Sequence, residues 1–161
     1  MADTNHQATQ QDAKENPALS RLSILIGTWR TEITFPSDLS TVIPGQTSIE
    51  WLAEGRFLVV RGSVEHPDFP TGFSIIGADD VTGAYSMLYF DSRGVARIYQ
   101  MSLENQVWKL WREAPEFSQR FEGAISSDGN TIEGFWEAST DGSNWQRDFN
   151  LAYKKVGQSQ G

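Results

Sequence analysis

The stretch "ILIGTWRTEITF", residues 24–35, governs how the rest of the chain reads. An apolar run stops at Gly27, and Trp29 follows at the head of an alternating segment. Upstream, "NPALSRLSILIG" (16–27) predicts one short helix. Asn16 is placed to cap it, and Pro17 suits the first helical position, where a missing N–H costs nothing. Leu19, Leu22, Leu25 and Ile26 fall near one face, and Gly27 is expected to end the helix.

Everything downstream predicts strands. Turn signals recur at short intervals: "AEGR", "HPDFPTG", "DDVTG", "DSRG", "LENQ", "EAPEF", "SSDGN" and "TDGSN". Gly, Asn and Asp supply the positive φ that tight hairpins require. Between them lie ten segments rich in β-branched and aromatic residues: 28–35, 46–54, 56–65, 72–79, 84–91, 95–104, 106–113, 118–126, 130–139 and 145–156. Period two is clearest near the end. In "TIEGFWEAS", Ile132, Gly134, Trp136 and Ala138 share a face. In "WQRDFNLAYKKV", Trp145, Arg147, Phe149, Leu151 and Tyr153 do. One buried face per strand means an antiparallel sheet, and closure of ten such strands removes the exposed edges.

The expected fold is therefore all-β: an up-and-down antiparallel barrel of about ten strands, with the helix closing the bottom. The domain spans residues 16–156, between a polar tail (1–15) and a short one (157–161), both expected to be disordered. The facing of "AYSMLYF" and "QVWKLWR" cannot be read, because both faces are apolar; they pack against the helix or a partner subunit. If the first strand runs upward, "FPSDLSTVIPG", "HPDFPTG", "DSRG", "EAPEFS" and "STDGSN" connect strands at the top, and tight turns connect them at the bottom. That asymmetry predicts a cup with a mouth. Trp29 is then the plug of the closed end, with Lys155 of the last strand beside it.

Composition narrows the function. The chain has 161 residues and no cysteine, so disulfides, thiolate nucleophiles and cysteine-rich zinc sites are excluded. Net charge is −8, with 13 Lys and Arg scattered among 21 acids, which opposes nucleic-acid binding. The N-terminus has no basic region followed by an apolar one, and no apolar run nears the ~18 residues of a membrane span. A cytoplasmic protein without membrane association is expected.

Helix, "GTW", strand-rich barrel and a basic residue on the last strand together resemble the calycin superfamily of lipocalins, fatty-acid-binding proteins and nitrobindins. The segments "EHPDFP", "DSRGVARIYQMSLE", "VWKLWREAPEFSQRF" and "DGNTIEGFWE" are similar to a group of small bacterial lipocalin-like proteins that carries no established activity. The resemblance implies a barrel that binds small molecules. Two family sites do not carry over. The Arg-x-Tyr that grips a fatty-acid carboxylate is matched by Leu151-Ala152-Tyr153, which lacks the Arg. The C-terminal histidine that holds haem in nitrobindins has no counterpart in 130–161. No cofactor is expected.

Arg147 is the strongest single candidate for ligand binding. Parity places it inward near Phe35, where it either clamps a ligand anion or pairs with an internal acid. Arg61 and Arg97 are similar, but the opposite faces of their strands are equally good inward candidates. His66, on a mouth loop beside Glu65 and Asp68, is either an acid–base group or plain surface. Asp91 and Arg93 either point into the mouth or form a local pair. Trp51, Tyr89, Trp111, Trp136 and Phe149 either line a pocket or fill the core. With His6 in the tail, no metal site is expected. These residues predict binding of a small hydrophobic or anionic-headed amphipathic molecule. The alternatives are a small isomerase or cyclase using a shaped pocket, and an interaction protein with a filled barrel. A homodimer is compatible with each.

Overall fold

The computed structural model describes residues 17–157. The expected tails and the Asn16 cap lie outside those residues, apart from Gly157. A helical turn, α1 (Pro17–Ser20), runs into a 3-10 turn (Arg21–Leu25). Ten strands follow: β1 (Gly27–Phe35), β2 (Asp38–Leu52), β3 (Phe57–Val64), β4 (Gly72–Ala78), β5 (Tyr85–Asp91), β6 (Ala96–Glu104), β7 (Val107–Arg112), β8 (Ser118–Ile125), β9 (Thr131–Ser139) and β10 (Gln146–Lys155). Each pairs antiparallel with its neighbours, and β10 returns to β1, closing the barrel.

Two local expectations are corrected. Gly27 does not end the helix: the 3-10 turn stops at Leu25, Ile26 is already extended, and Gly27 opens β1 at φ +146°. A Cβ there would stand 3.0 Å from Cε of Lys155, so glycine leaves room for the lysine stem. The segment "FPSDLSTVIPG" is not a long loop. Only Pro36 and Ser37 separate β1 from β2, because the Asp38 carboxylate accepts hydrogen bonds from Ser40 and Thr41 and β2 starts at once. Loop length therefore does not distinguish the two ends: 79–84 at the closed end is as long as 140–145 at the open end.

Packing does distinguish them. Leu22 and Leu25 are wholly buried under the barrel, and the Tyr85 hydroxyl donates to the Ala18 carbonyl, seating α1 on the wall. Trp29 is also fully buried, and its indole N–H donates to the Leu25 carbonyl at 2.9 Å. Above it, Trp108, Phe121 and Tyr153 meet in edge and tilted contacts with centroids 5.3–6.5 Å apart. Gly123 and Gly134, paired across β8 and β9, make space for the Phe121 ring, which a Cβ on either would meet at under 3 Å. Ile49, Leu58, Ile76 and Ile132 complete this lower core. Burial of each such side chain contributes roughly 1.5–3 kcal/mol.

The facing of the middle strands is settled by register. On β5 and β6, Tyr85, Met87, Tyr89, Arg97, Tyr99 and Met101 share one face, in which Met87, Tyr99 and Met101 are buried in the core. Ile98 and Leu88 pair on the other face, which is the outer wall.

Candidate functional site

The upper half of the barrel holds a cavity of about 410 Å³ that opens at the mouth. Its floor is Met87, Tyr99 and Trp136, packed directly on the aromatic plug: the Trp136 ring lies 5.3 Å from Phe121 and 5.7 Å from Tyr99. The barrel is thus filled in its lower half and open in its upper half.

One corner of the cavity is polar. On β6, Arg97 and Tyr99 point inward, and both donate to the Oε1 of Gln119 on β8, from Nη1 at 3.3 Å and from the hydroxyl at 2.7 Å. The Arg97 guanidinium rests over the Phe117 ring, 5.1 Å from its centroid. Among the described residues no carboxylate lies within ion-pair distance of Arg97. Burial raises the Tyr99 pKa above its ordinary value, so the phenol stays a neutral donor.

A second polar group sits on the same wall. The Tyr89 hydroxyl donates to Oδ2 of Asp91 at 2.7 Å. Nη2 of Arg93 donates to the same oxygen at 2.7 Å, and the Asp91 side chain is closed off from solvent. The Arg93 guanidinium holds the Asp91 carboxyl well below the usual carboxylate range. Burial, reinforced by the hydrogen bond to Asp91, pushes Tyr89 up. The "DSRG" turn is therefore a local Asp–Arg pair, and Arg93 also reaches the cavity lining.

The opposite wall carries an aromatic rim above Thr31, Thr47 and Ser63. Phe35, Phe69 and Phe149 meet pairwise with centroids 6.2–6.5 Å apart, forming a rim. Phe69 comes from the 65–71 loop between Pro67 and Pro70. Asp68 and Asp148 complete the lining at this end.

Of the residues singled out in the sequence, Arg97, Arg93, Tyr89, Trp136 and Phe149 line the cavity. The others do not. Arg147 faces outward: it stands opposite Glu137 in the register of β9 and β10, its Nη1 donates to Oδ1 of Asn150 at 2.8 Å, and its guanidinium covers the Phe135 ring at 3.8 Å. The cause is a one-residue bulge. Arg147 stands opposite Glu137 and Phe149 opposite Trp136, so Asp148 is the extra residue, and parity reverses across it. Trp145 lies beyond the bulge, outside the strand, under the Arg120 guanidinium at 4.0 Å.

Arg61 is on the outer wall, 3.8 Å from Glu50 and over Phe73. Trp111 is outside too, its indole donating to Gln100 at 3.0 Å. Trp51 has inward parity, opposite Leu58, but lies at the closed end next to the 53–56 turn, away from the cavity. His66 packs edge-on against Phe69, and its Nδ1 accepts the Asp68 backbone N–H. It orders the loop from outside the cavity. Among the described residues no group of three or more His, Asp or Glu converges to hold a metal ion.

Sequence reasoning did not single out Tyr99, Gln119, Phe69, Phe117 or Asp148. The triplet Arg97-x-Tyr99-x-Met101 does share a face by parity. Gln119 carries no signal of its own, since a lone glutamine on a strand reads as surface.

Fold and site together define an up-and-down β-barrel protein: ten antiparallel strands, plugged by a helix and open at the other end into a half-polar cavity. The crystal structure of Rv2717c from M. tuberculosis is similar, with a TM-score of 0.60 at 14% sequence identity, covering 88% of this chain and 99% of that one. At that identity the likeness is one of fold. No family model and no curated protein sequence matches the chain.

Proposed function

We propose that this chain binds a small amphipathic molecule, with its apolar body in the upper cavity and an anionic end at Arg97. The observation that carries this reading is Arg97 itself. It is half-buried in an aromatic-walled cavity of about 410 Å³, held in place by Gln119 and Phe117, and none of the described acids neutralises it. A cation placed this way favours a ligand that brings the missing charge. The volume suits one small molecule. The lining has no histidine, lysine or cysteine, and its buried phenols have raised pKa values, which supports holding a ligand over transferring its protons.

The test uses two probes with the same aromatic body. 1-Anilinonaphthalene-8-sulfonate carries an anion, and N-phenyl-1-naphthylamine does not. Both are expected to bind saturably at one site, with enhanced fluorescence. Arg97→Met should weaken the sulfonate probe by roughly ten-fold or more, as loss of a charge-assisted hydrogen bond costs ~1.5–3 kcal/mol. The neutral probe should be unaffected. Absence of binding by either probe sinks the proposal, and equal weakening of both removes the anion from it.

A further inference from the structure

The inner wall formed by β1 to β4 is recessed at one level of the cavity. Thr31 on β1 stands opposite Gly45 on β2, Thr47 on β2 opposite Gly62 on β3, and Gly62 opposite Gly72 on β4. Below this level the same wall presents Ile49, Leu58 and Ile76 to the core. A Cβ on Gly45 would stand 2.6 Å from Oγ1 of Thr31, and one on Gly62 would stand 3.5 Å from Oγ1 of Thr47. The glycines therefore leave a space that two hydroxyls border. Thr31, Thr47, Gly62 and Gly72 all line the cavity.

Thr31 is 3% exposed, on a face it shares with Trp29 and Ile33. Among the described residues, neither its hydroxyl nor that of Thr47 has a hydrogen-bond partner. The Trp108 indole nitrogen is the one side-chain polar atom among those residues that is both sealed and unpartnered. The Thr31 oxygen is thus open, and the cavity is the space it opens on. Valine has nearly the same shape and suits a strand as well, so the fold does not call for the hydroxyl. Left unpaired in a buried wall, a hydroxyl costs free energy until water or a ligand pairs with it.

We propose that this recess is a second ligand subsite, taking an uncharged oxygen function, a hydroxyl or carbonyl, of the molecule whose anionic end lies at Arg97. The inference rests on the anion-binding reading above and narrows it: the occupant is a small hydroxylated or oxo-substituted organic acid. In the ring of ten strands, β1 and β6 are five apart in either direction, so Thr31 and Arg97 stand on opposite walls. The ligand's apolar body spans the space between them, over Met87 and Trp136. The recess holds no Lys, Arg, Asp or Glu, so the group it takes is neutral; a charge there would be buried without a counter-charge.

Isothermal titration calorimetry at neutral pH with two ligands tests this. Naphthalene-2-sulfonate supplies the anion and the apolar body, and 6-hydroxynaphthalene-2-sulfonate adds a hydroxyl at the far end of the ring. Wild type should bind the hydroxylated ligand roughly three- to ten-fold tighter, the size of one uncharged hydrogen bond. Thr31→Val and Thr31→Ala, which both lack the hydroxyl, should bring that ratio to one, with thermal unfolding showing that each is folded. Thr31→Ser, which keeps a hydroxyl, should retain it. Equal affinities in wild type, or a ratio that survives both Thr31→Val and Thr31→Ala, overturns the subsite and leaves the anion reading standing. Arg97→Met reads the other question: it should weaken both ligands alike and keep their ratio. Undiminished affinities in Arg97→Met would sink the anion reading while the hydroxyl preference stands, and binding of neither ligand to wild type sinks both.

Discussion

The ammonium nitrogen of Lys155 lies 5.0 Å from the centroid of the Trp29 ring, and the two residues are direct partners across β1 and β10. The pair fastens the last strand to the first where the barrel closes. It also explains the glycine of "GTW", whose missing Cβ lets the lysine stem pass. Trp29→Ala should cost ~3–5 kcal/mol, as for a large aromatic removed from a filled core. Lys155→Met, which keeps the stem, should cost only the cation–π part, ~0.5–2 kcal/mol. A double-mutant cycle by urea denaturation measures the coupling. A coupling of zero would mean that the two residues act independently.

Gly134 is the tightest point of the lower core. A Cβ there would stand 2.6 Å from the Phe121 ring and 3.1 Å from the Leu151 carbonyl oxygen. The ring could shift but the backbone oxygen is fixed by the sheet. Gly134→Ala is therefore expected to destabilise by ~1–3 kcal/mol despite the better strand propensity of alanine. Thermal unfolding checks this, and an unchanged or raised Tm would contradict the packing described.

Arg147 makes a control for Arg97. Its contacts with Asn150 and Phe135 are on the outside of the barrel. Arg147→Met should leave the sulfonate probe's affinity unchanged, and the loss of stability should stay near the ~0.5–1 kcal/mol of an exposed cation–π contact. An affinity loss as large as that of Arg97→Met would mean that the bulge at Asp148 is not maintained in solution.

Asp91 ties the Arg93 turn to the cavity wall, and its carboxyl is held below its ordinary value of 3.8 chiefly by the Arg93 guanidinium. A depressed folded-state pKa means that the unfolded chain binds the proton more tightly. Asp91 therefore contributes stability above pH ~4, and that contribution is lost as pH falls toward its folded value. Asp38, lowered to about 2 by Ser40 and Thr41, acts in the same direction, as do Asp79, Asp128 and Asp141 in their turns. Asp91→Asn should be less stable than wild type at pH 7, and the gap should narrow as pH falls below 4. Urea midpoints from pH 7 to pH 2.5 read it; a gap constant with pH would show that the pair contributes by packing alone.

Local patterning carried the sequence a long way here. Period-two alternation, turn residues at regular intervals and a helix ahead of Trp29 lead to ten strands and a closed end, because burial of one face and hairpin geometry are local requirements. Trp29, Lys155, Trp136 and Phe149 stand where parity puts them. Parity fails where it depends on distant partners. The bulge at Asp148 arises from the pairing of β10 with β9, and it turns Arg147 outward while Phe149 stays in. For β3 and β5 to β7, both faces are apolar. Closure of the sheet decided that Arg97, Tyr89 and Tyr99 face the cavity while Arg61, Leu88, Ile98 and Trp111 face out. Gln119 became a site residue only when β8 was brought opposite that wall, placing its amide oxygen between a phenol and a guanidinium. A strand's own sequence fixes which side chains share a face. Which of two similar faces turns inward is set by the strands beside it and by the core they enclose.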